Sequence, residues 1–172
     1  AMRDALSILD QVVSFGADSY SLSEVESLLG TVDFYDIDKL TKAIIDKDSK
    51  LSLESLFALR NNNKTNKDII DALISYFNDI MIFKLTNDES YFDNDDYIGS
   101  IKKRASEVGD LEISDYLDIL IDYSNKIKLS ESTDVLTQVC ILRLLNLKNI
   151  NNLESRIDYL EKNTEENVVD LI

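Results

Sequence analysis

The sequence predicts an all-α protein, and three observations carry that reading. Its 172 residues contain no proline and only four glycines (Gly16, Gly30, Gly99 and Gly109), so little interrupts long helices. Strict alternation of apolar and polar residues, the pattern of a half-buried strand, is nearly absent. Apolar residues instead recur three and four positions apart, which gathers them on one face of a helix and gives helix-on-helix packing.

The elements follow in order. Ala5, Ile8, Leu9, Val12, Val13 and Phe15 give the stretch 2–15 one apolar face, and Gly16 stands at its C-terminal cap position. Arg3 lies in the first turn, where the positive end of the helix dipole disfavours a cation. It is either a solvated surface arginine or a residue that holds an anion jointly with the helix end. After the loop 17–22, Ser21 or Ser23 caps a short helix to Leu29, with Glu24 and Glu26 early in it, and Gly30 ends it. Asp33 or Asp36 opens a helix to about Asp46 with Ile37, Leu40, Ile44 and Ile45 inward. Asp48–Ser49 resets the chain, and a helix over about 50–61 carries Leu51, Leu53, Leu56, Phe57 and Leu59. Asn61–Asn63 is a turn.

Thr65 or Asn66 caps the longest clean pattern, with Ile69, Ile70, Leu73, Ile74, Phe77, Ile80, Met81 and Phe83 along one broad face to about Leu85. So broad a stripe reads as core and not as a coiled-coil seam. The acid-rich segment 88–96 is expected to be a solvated loop. Helices are expected over about 97–108 and 113–128, the second with Tyr116, Leu117, Leu120, Ile121 and Ile127. Ser130, Ser132 or Thr133 caps the last core helix; Val135, Leu136, Val139, Cys140, Ile141, Leu142, Leu144, Leu145 and Leu147 leave it little polar face, which predicts a central position. Asn149–Asn152 is expected to break this pattern. A polar helix then runs from Leu153 to about Lys162, with Leu153, Ile157 and Leu160 on a narrow seam, either a short coiled-coil contact or a lone amphipathic extension. The last ten residues are expected to fray.

Composition narrows the function. Acids outnumber bases 33 to 18, a net charge of −15, so most of the surface repels a phosphate backbone and nucleic-acid binding is disfavoured. No apolar run reaches membrane-spanning length and no signal peptide opens the chain, which predicts a soluble, cytoplasmic protein. There is no histidine, so the commonest general base and metal ligand is missing, and one cysteine makes neither a disulfide nor a zinc cluster. No phosphate-binding G-x-x-x-x-G-K loop occurs.

Three motifs have plainer explanations. The segment 93–99 resembles a calcium loop only loosely: counted from Asp93, Gly99 falls at position seven and Arg104 at twelve, where the motif needs glycine at six and an acid at twelve. Lys102, Lys103 and Arg104 read as a solvated helix face, with pairing to the acidic loop or a partner as the alternative. Cys140, on an apolar face, reads as a small core residue. From its residues alone, the chain is a helical module without catalytic residues and without a metal site.

The string Ala1-Met2-Arg3-Asp4-Ala5-Leu6-Ser7-Ile8-Leu9-Asp10-Gln11, followed by Ser27-Leu28-Leu29-Gly30-Thr31-Val32-Asp33, resembles the gamma/tau subunit family of bacterial DNA polymerase III. That family carries a Gly-x-x-Arg-Asp-Ala-Leu-Ser-Leu-Leu-Asp-Gln helix followed by a Leu-Gly-Thr/Ala-Val segment. Over the rest of 1–148 the match is one of pattern: a long helix like 66–86 and a terminal apolar helix containing Ile141-Leu142-Arg143. The proline that often precedes that helix in the family is absent.

The resemblance implies that 1–30 is the end of an AAA+ ATPase lid, that 31–148 is a helical collar of about five to seven helices that joins loader subunits, and that 149–172 is a polar extension, partly disordered. It implies that Arg3 is the lid's sensor-2 arginine, reaching the phosphates of ATP in a longer protein. The glycine that opens the motif would precede Ala1, so the chain is expected to be a piece of that protein. ATP and Mg then belong to the parent and no cofactor to this piece. The implied partners are gamma/tau copies, delta and delta-prime, with the sliding clamp and primed DNA reached only through the whole loader. A generic helical adaptor that shares the opening motif is the rival reading.

Overall fold

In the computed structural model the described residues are 31–169 together with Arg3, Leu6 and Asp10; for 148–156, 159, 163 and 165–169 the description is of the backbone alone. Arg3, Leu6 and Asp10 are helical and exposed. The helix end expected at Gly16 and the helix expected over 23–29 lie outside the described residues.

Six α-helices follow: α1 (Phe34–Ile45), α2 (Ser49–Asn61), α3 (Asn66–Thr86), α4 (Asp95–Glu107), α5 (Asp110–Lys128) and α6 (Thr133–Val169), with a 3-10 turn at Glu89–Tyr91. The all-α expectation and the expected number of helices hold. Side-chain caps fix several of the starts. Asp33 accepts from the Tyr35 amide at 3.0 Å and Asp48 from the Leu51 amide at 2.9 Å. Thr65 and Asp68 form a reciprocal capping box at the head of α3. Asn94 accepts from the Asp96 and Tyr97 amides, which starts α4 two residues earlier than the apolar pattern suggests. Likewise α5 starts at Asp110, after Gly109, because acids suit a first turn whether or not an apolar face has begun. The acidic segment is exposed almost throughout, yet Asp88 accepts from the Ser90 amide at 2.8 Å and seeds the short turn.

α3 lies at the centre and packs on α1, α4, α5 and α6; α5 packs on α6, and α1 on α2. Ile69, Ile70, Leu73, Phe77 and Ile80 of α3 are fully buried, with Leu40 and Ile44 of α1, Leu56 of α2, Ile101 of α4, Tyr116 and Leu120 of α5, and Cys140 and Leu144 of α6. Each such aliphatic or aromatic side chain contributes about 1.5–3 kcal/mol by leaving water.

Two expectations about α6 need correction. No break falls at Asn149–Asn152; the helix runs unbroken to Val169. Asparagine costs a helix only about 0.5 kcal/mol more than alanine, and without a glycine or proline there nothing stops a helix already nucleated over 133–147. Nor is its first half enclosed: Thr137, Cys140, Ile141, Leu144 and Leu145 are buried, but Val135, Val139 and Leu142 are exposed. The bundle covers one side of α6 and leaves the other bare.

Candidate interaction surface

The polar side chains that reach inside the bundle bind helices to one another. Arg104 is only 3% exposed, which corrects its expected place on a solvated face. Its Nε donates to Asp38 of α1 at 2.7 Å, and its Nη1 pairs with Glu107 one turn on. Tyr76 of α3 donates to the same Asp38 at 2.7 Å, so one carboxylate ties α1, α3 and α4 together. Burial works to lower the Arg104 pKa, but the bonds to Asp38 and Glu107 outweigh it and the net shift is upward. Burial, then the Asp38 carboxylate, pushes the Tyr76 hydroxyl well up. The neighbouring Lys102 and Lys103 are exposed, and Lys102 pairs with Glu89, as the alternative reading of that patch held.

Lys47 forms a second tie. It follows α1 in the left-handed region, φ 58°, which costs a non-glycine residue about 1–2 kcal/mol. From there its Nζ reaches the Tyr116 hydroxyl, the Leu144 carbonyl at 2.8 Å and the Glu112 carboxylate at 3.4 Å, joining α1 to α5 and α6. Lys84 forms a third: its Nζ donates to the Ala105 and Val108 carbonyls, each at 2.9 Å, and closes the end of α4. In the fourth, Arg60 donates from Nε to Asn66 at 2.9 Å and from Nη2 to the Asp134 carbonyl at 3.0 Å, joining α2 to the starts of α3 and α6.

Each of these groups is spent on a fixed partner. Cys140 is buried, and burial pushes its thiol up to about 12, so it is a packing residue as its apolar setting predicts. Gly99 sits inside α4 and not in a loop. The sequence shows none of these long-range ties, although the Arg104–Glu107 spacing of three is a signal that these two can meet on a helix.

What remains is apolar and outward. Leu53 and Phe57, four apart on α2, are exposed, and the Arg60 guanidinium lies 5.8 Å from the Phe57 ring. Arg60 also touches the first turn of α6, and Val135, Val139 and Leu142 continue along that helix. Two bare apolar stripes thus sit on helices that pack against each other. Apolar groups exposed side by side in this way are of the kind that protein-binding surfaces carry.

This helical arrangement is similar to that of a solved clamp-loader protein. It superposes on the Bacillus subtilis DNA clamp loader delta protein with a TM-score of 0.56 and 17% identity, over 80% of this chain and 44% of that one. In sequence the chain is similar to DNA polymerase III subunit tau of Bacillus subtilis (strain 168), 25% identical over 173 residues. The match takes in 95% of this chain and 31% of the tau subunit, so the chain spans about a third of that relative's length. The resemblance seen at the opening residues therefore extends along nearly the whole chain. No protein-family profile matches it. Among the described residues no helix is long and apolar enough to cross a membrane.

Proposed function

We propose that the chain is the collar region of a clamp-loader subunit of the gamma/tau kind, and that its bare α2 and α6 stripes pack against neighbouring loader subunits. The observation that carries this is the pair of stripes. The bundle has a closed core, its four polar ties, one buried and three part-buried, hold six helices in place, and yet Leu53, Phe57, Val135, Val139 and Leu142 face out. The similarity along the chain to a DNA polymerase III subunit supports the choice of partner class: other gamma/tau copies, delta and delta-prime. In this reading the piece itself takes no cofactor, and ATP, Mg, the sliding clamp and primed DNA are handled by the whole loader. Arg3 then serves as the sensor-2 arginine, a cation that adds its charge to a helix N-terminus near the ATP phosphates of the longer protein.

The test is association in solution. Light scattering of the chain mixed with gamma/tau, delta and delta-prime subunits is expected to give a complex with at least one of them. Phe57→Lys is expected to weaken it by about tenfold or more, because a desolvated aromatic anchor is replaced by a charge. Its thermal midpoint should stay put, since Phe57 already faces water. No complex with any of these subunits at high concentration would overturn the proposal and favour a generic adaptor.

A further inference from the structure

We propose that the outer half of α6 pairs with α6 of a second copy of this chain, as a short parallel two-stranded coiled coil. The starting observation is a line of apolar side chains on the solvent side of that helix. Val139 and Leu142 are 37% and 55% exposed; Ile157 and Leu160 are 52% and 60% exposed. Eighteen residues separate Val139 from Ile157, and eighteen separate Leu142 from Leu160. At about 3.6 residues per turn that is five full turns, so the exposed pair in the first half recurs in line in the second. The bundle holds the opposite side of the helix through Cys140, Ile141 and Leu144. A partner helix can therefore approach along the stripe without meeting the bundle.

The residues choose the occupant. With Ile157 at heptad position a, Leu160 falls at d, and in the sequence Ile150 and Leu153 fall at the preceding a and d. Isoleucine at a with leucine at d favours two parallel strands. In that register Arg156 is at g and Glu161 at e five residues later, the positions that face each other across a parallel seam. A second copy supplies the opposite charge at both symmetry-related places, as a self-complementary twofold interface requires. The other charges are mostly acids, with Asp158 exposed between the seam positions and the chain at net −15, so two copies repel at a distance. Salt screens that repulsion, and pairing strengthens as ionic strength rises. This inference stands on α6 alone and does not rest on the clamp-loader reading.

Sedimentation equilibrium of the whole chain tests it. A reversible dimer is expected at about 0.5 M NaCl, weaker at low salt. Ile157→Lys and Leu160→Lys should each raise the dissociation constant by about tenfold or more, while Leu129→Lys, at an exposed leucine after α5, leaves it unchanged. Arg156→Glu should weaken pairing, and Arg156→Glu combined with Glu161→Arg should restore it. Thr164→Cys, at the next a position, should cross-link to itself in oxidised glutathione, as only a parallel pair allows; buried Cys140 does not compete. A chain that stays monomeric up to about 1 mM at either salt overturns the proposal. So does a dimer indifferent to the two lysine variants, or one that the double exchange fails to rescue.

Discussion

The two halves of α6 are one continuous helix with two different jobs. From Thr133 to Leu147 it is a member of the bundle: Cys140, Ile141, Leu144 and Leu145 are buried, and Lys47 reaches in to donate to the Leu144 carbonyl. Beyond that point it carries Ile157 and Leu160 into solvent. The same residue type thus has opposite worth sixteen positions apart. Leucine 144 is 0% exposed and has the bundle around it, while leucine 160 is 60% exposed. Helix propensity carries the backbone through both halves, but packing stabilises only the first. Leu144→Ala is therefore the change with the largest expected effect. It should cost about 2–5 kcal/mol in urea unfolding, from lost transfer energy and a cavity in the core. A loss below about 1 kcal/mol would mean that α6 is not held by its inner face.

Alkaline pH should act on the bundle in the same selective way. Burial raises the pKa of Tyr76, Tyr97 and Tyr116, helped by the Asp38, Asp79 and Glu112 carboxylates that accept their hydroxyls, and it raises Cys140 from 9.0 to about 12. In the unfolded chain these groups ionise first, near 9.0 for the thiol and 10.0 for the phenols. The folded state then holds more protons than the unfolded one, so stability is full below pH 9 and falls as pH rises. Each group contributes a slope of up to about 1.4 kcal/mol per pH unit while it is ionised only when unfolded. Urea midpoints from pH 7 to 10.5 should show the decline, and Cys140→Ala should flatten its first part, between about 9 and 10. A stability flat across that range would contradict the burial of these hydroxyls.

How much of this was legible in the sequence depends on the distance over which the cause acts. Periodicity shows the inward face of α1 in full, because a helix face is a local property: Ile37, Leu40, Ile44 and Ile45 are all buried, while on the broader α3 face Ile74, Met81 and Phe83 are only partly so. The cap of α3 was legible to within one residue, Thr65 or Asn66, and Thr65 holds it through a box with Asp68 three residues away. Arg104 was not, because its partner Asp38 lies sixty-six residues earlier and only the packing of α1 on α4 brings them together. Nor did the apolar richness of 133–147 reveal which side the bundle would cover, since a helix with little polar face looks the same whether it is enclosed or lies on the surface. The Asn-rich stretch 149–152 is deceptive for another reason: its weak local preference does not stop a helix already formed before it. Arg3 drew its assigned role from the motif around it; its own position at a helix start left both a surface and an anion-binding role open.

The smallest expected effect is the sharpest check on the two halves. Leu160→Ala, at concentrations where the chain is monomeric, should change the unfolding free energy by no more than about 0.5 kcal/mol. The side chain loses little burial because it has little to lose. Alanine is also the better helix former, which offsets any packing that Leu160 gains along the helix surface. The substitution is the same as Leu144→Ala, in the same helix, so propensity cancels between the two and the difference isolates packing against the bundle. A loss at Leu160 that approached the Leu144 value would place the second half of α6 against the bundle. At concentrations where copies pair, the same Leu160→Ala chain should lose stability relative to the unsubstituted one. The gap should widen with protein concentration, because an interface present only in the folded state stabilises by mass action.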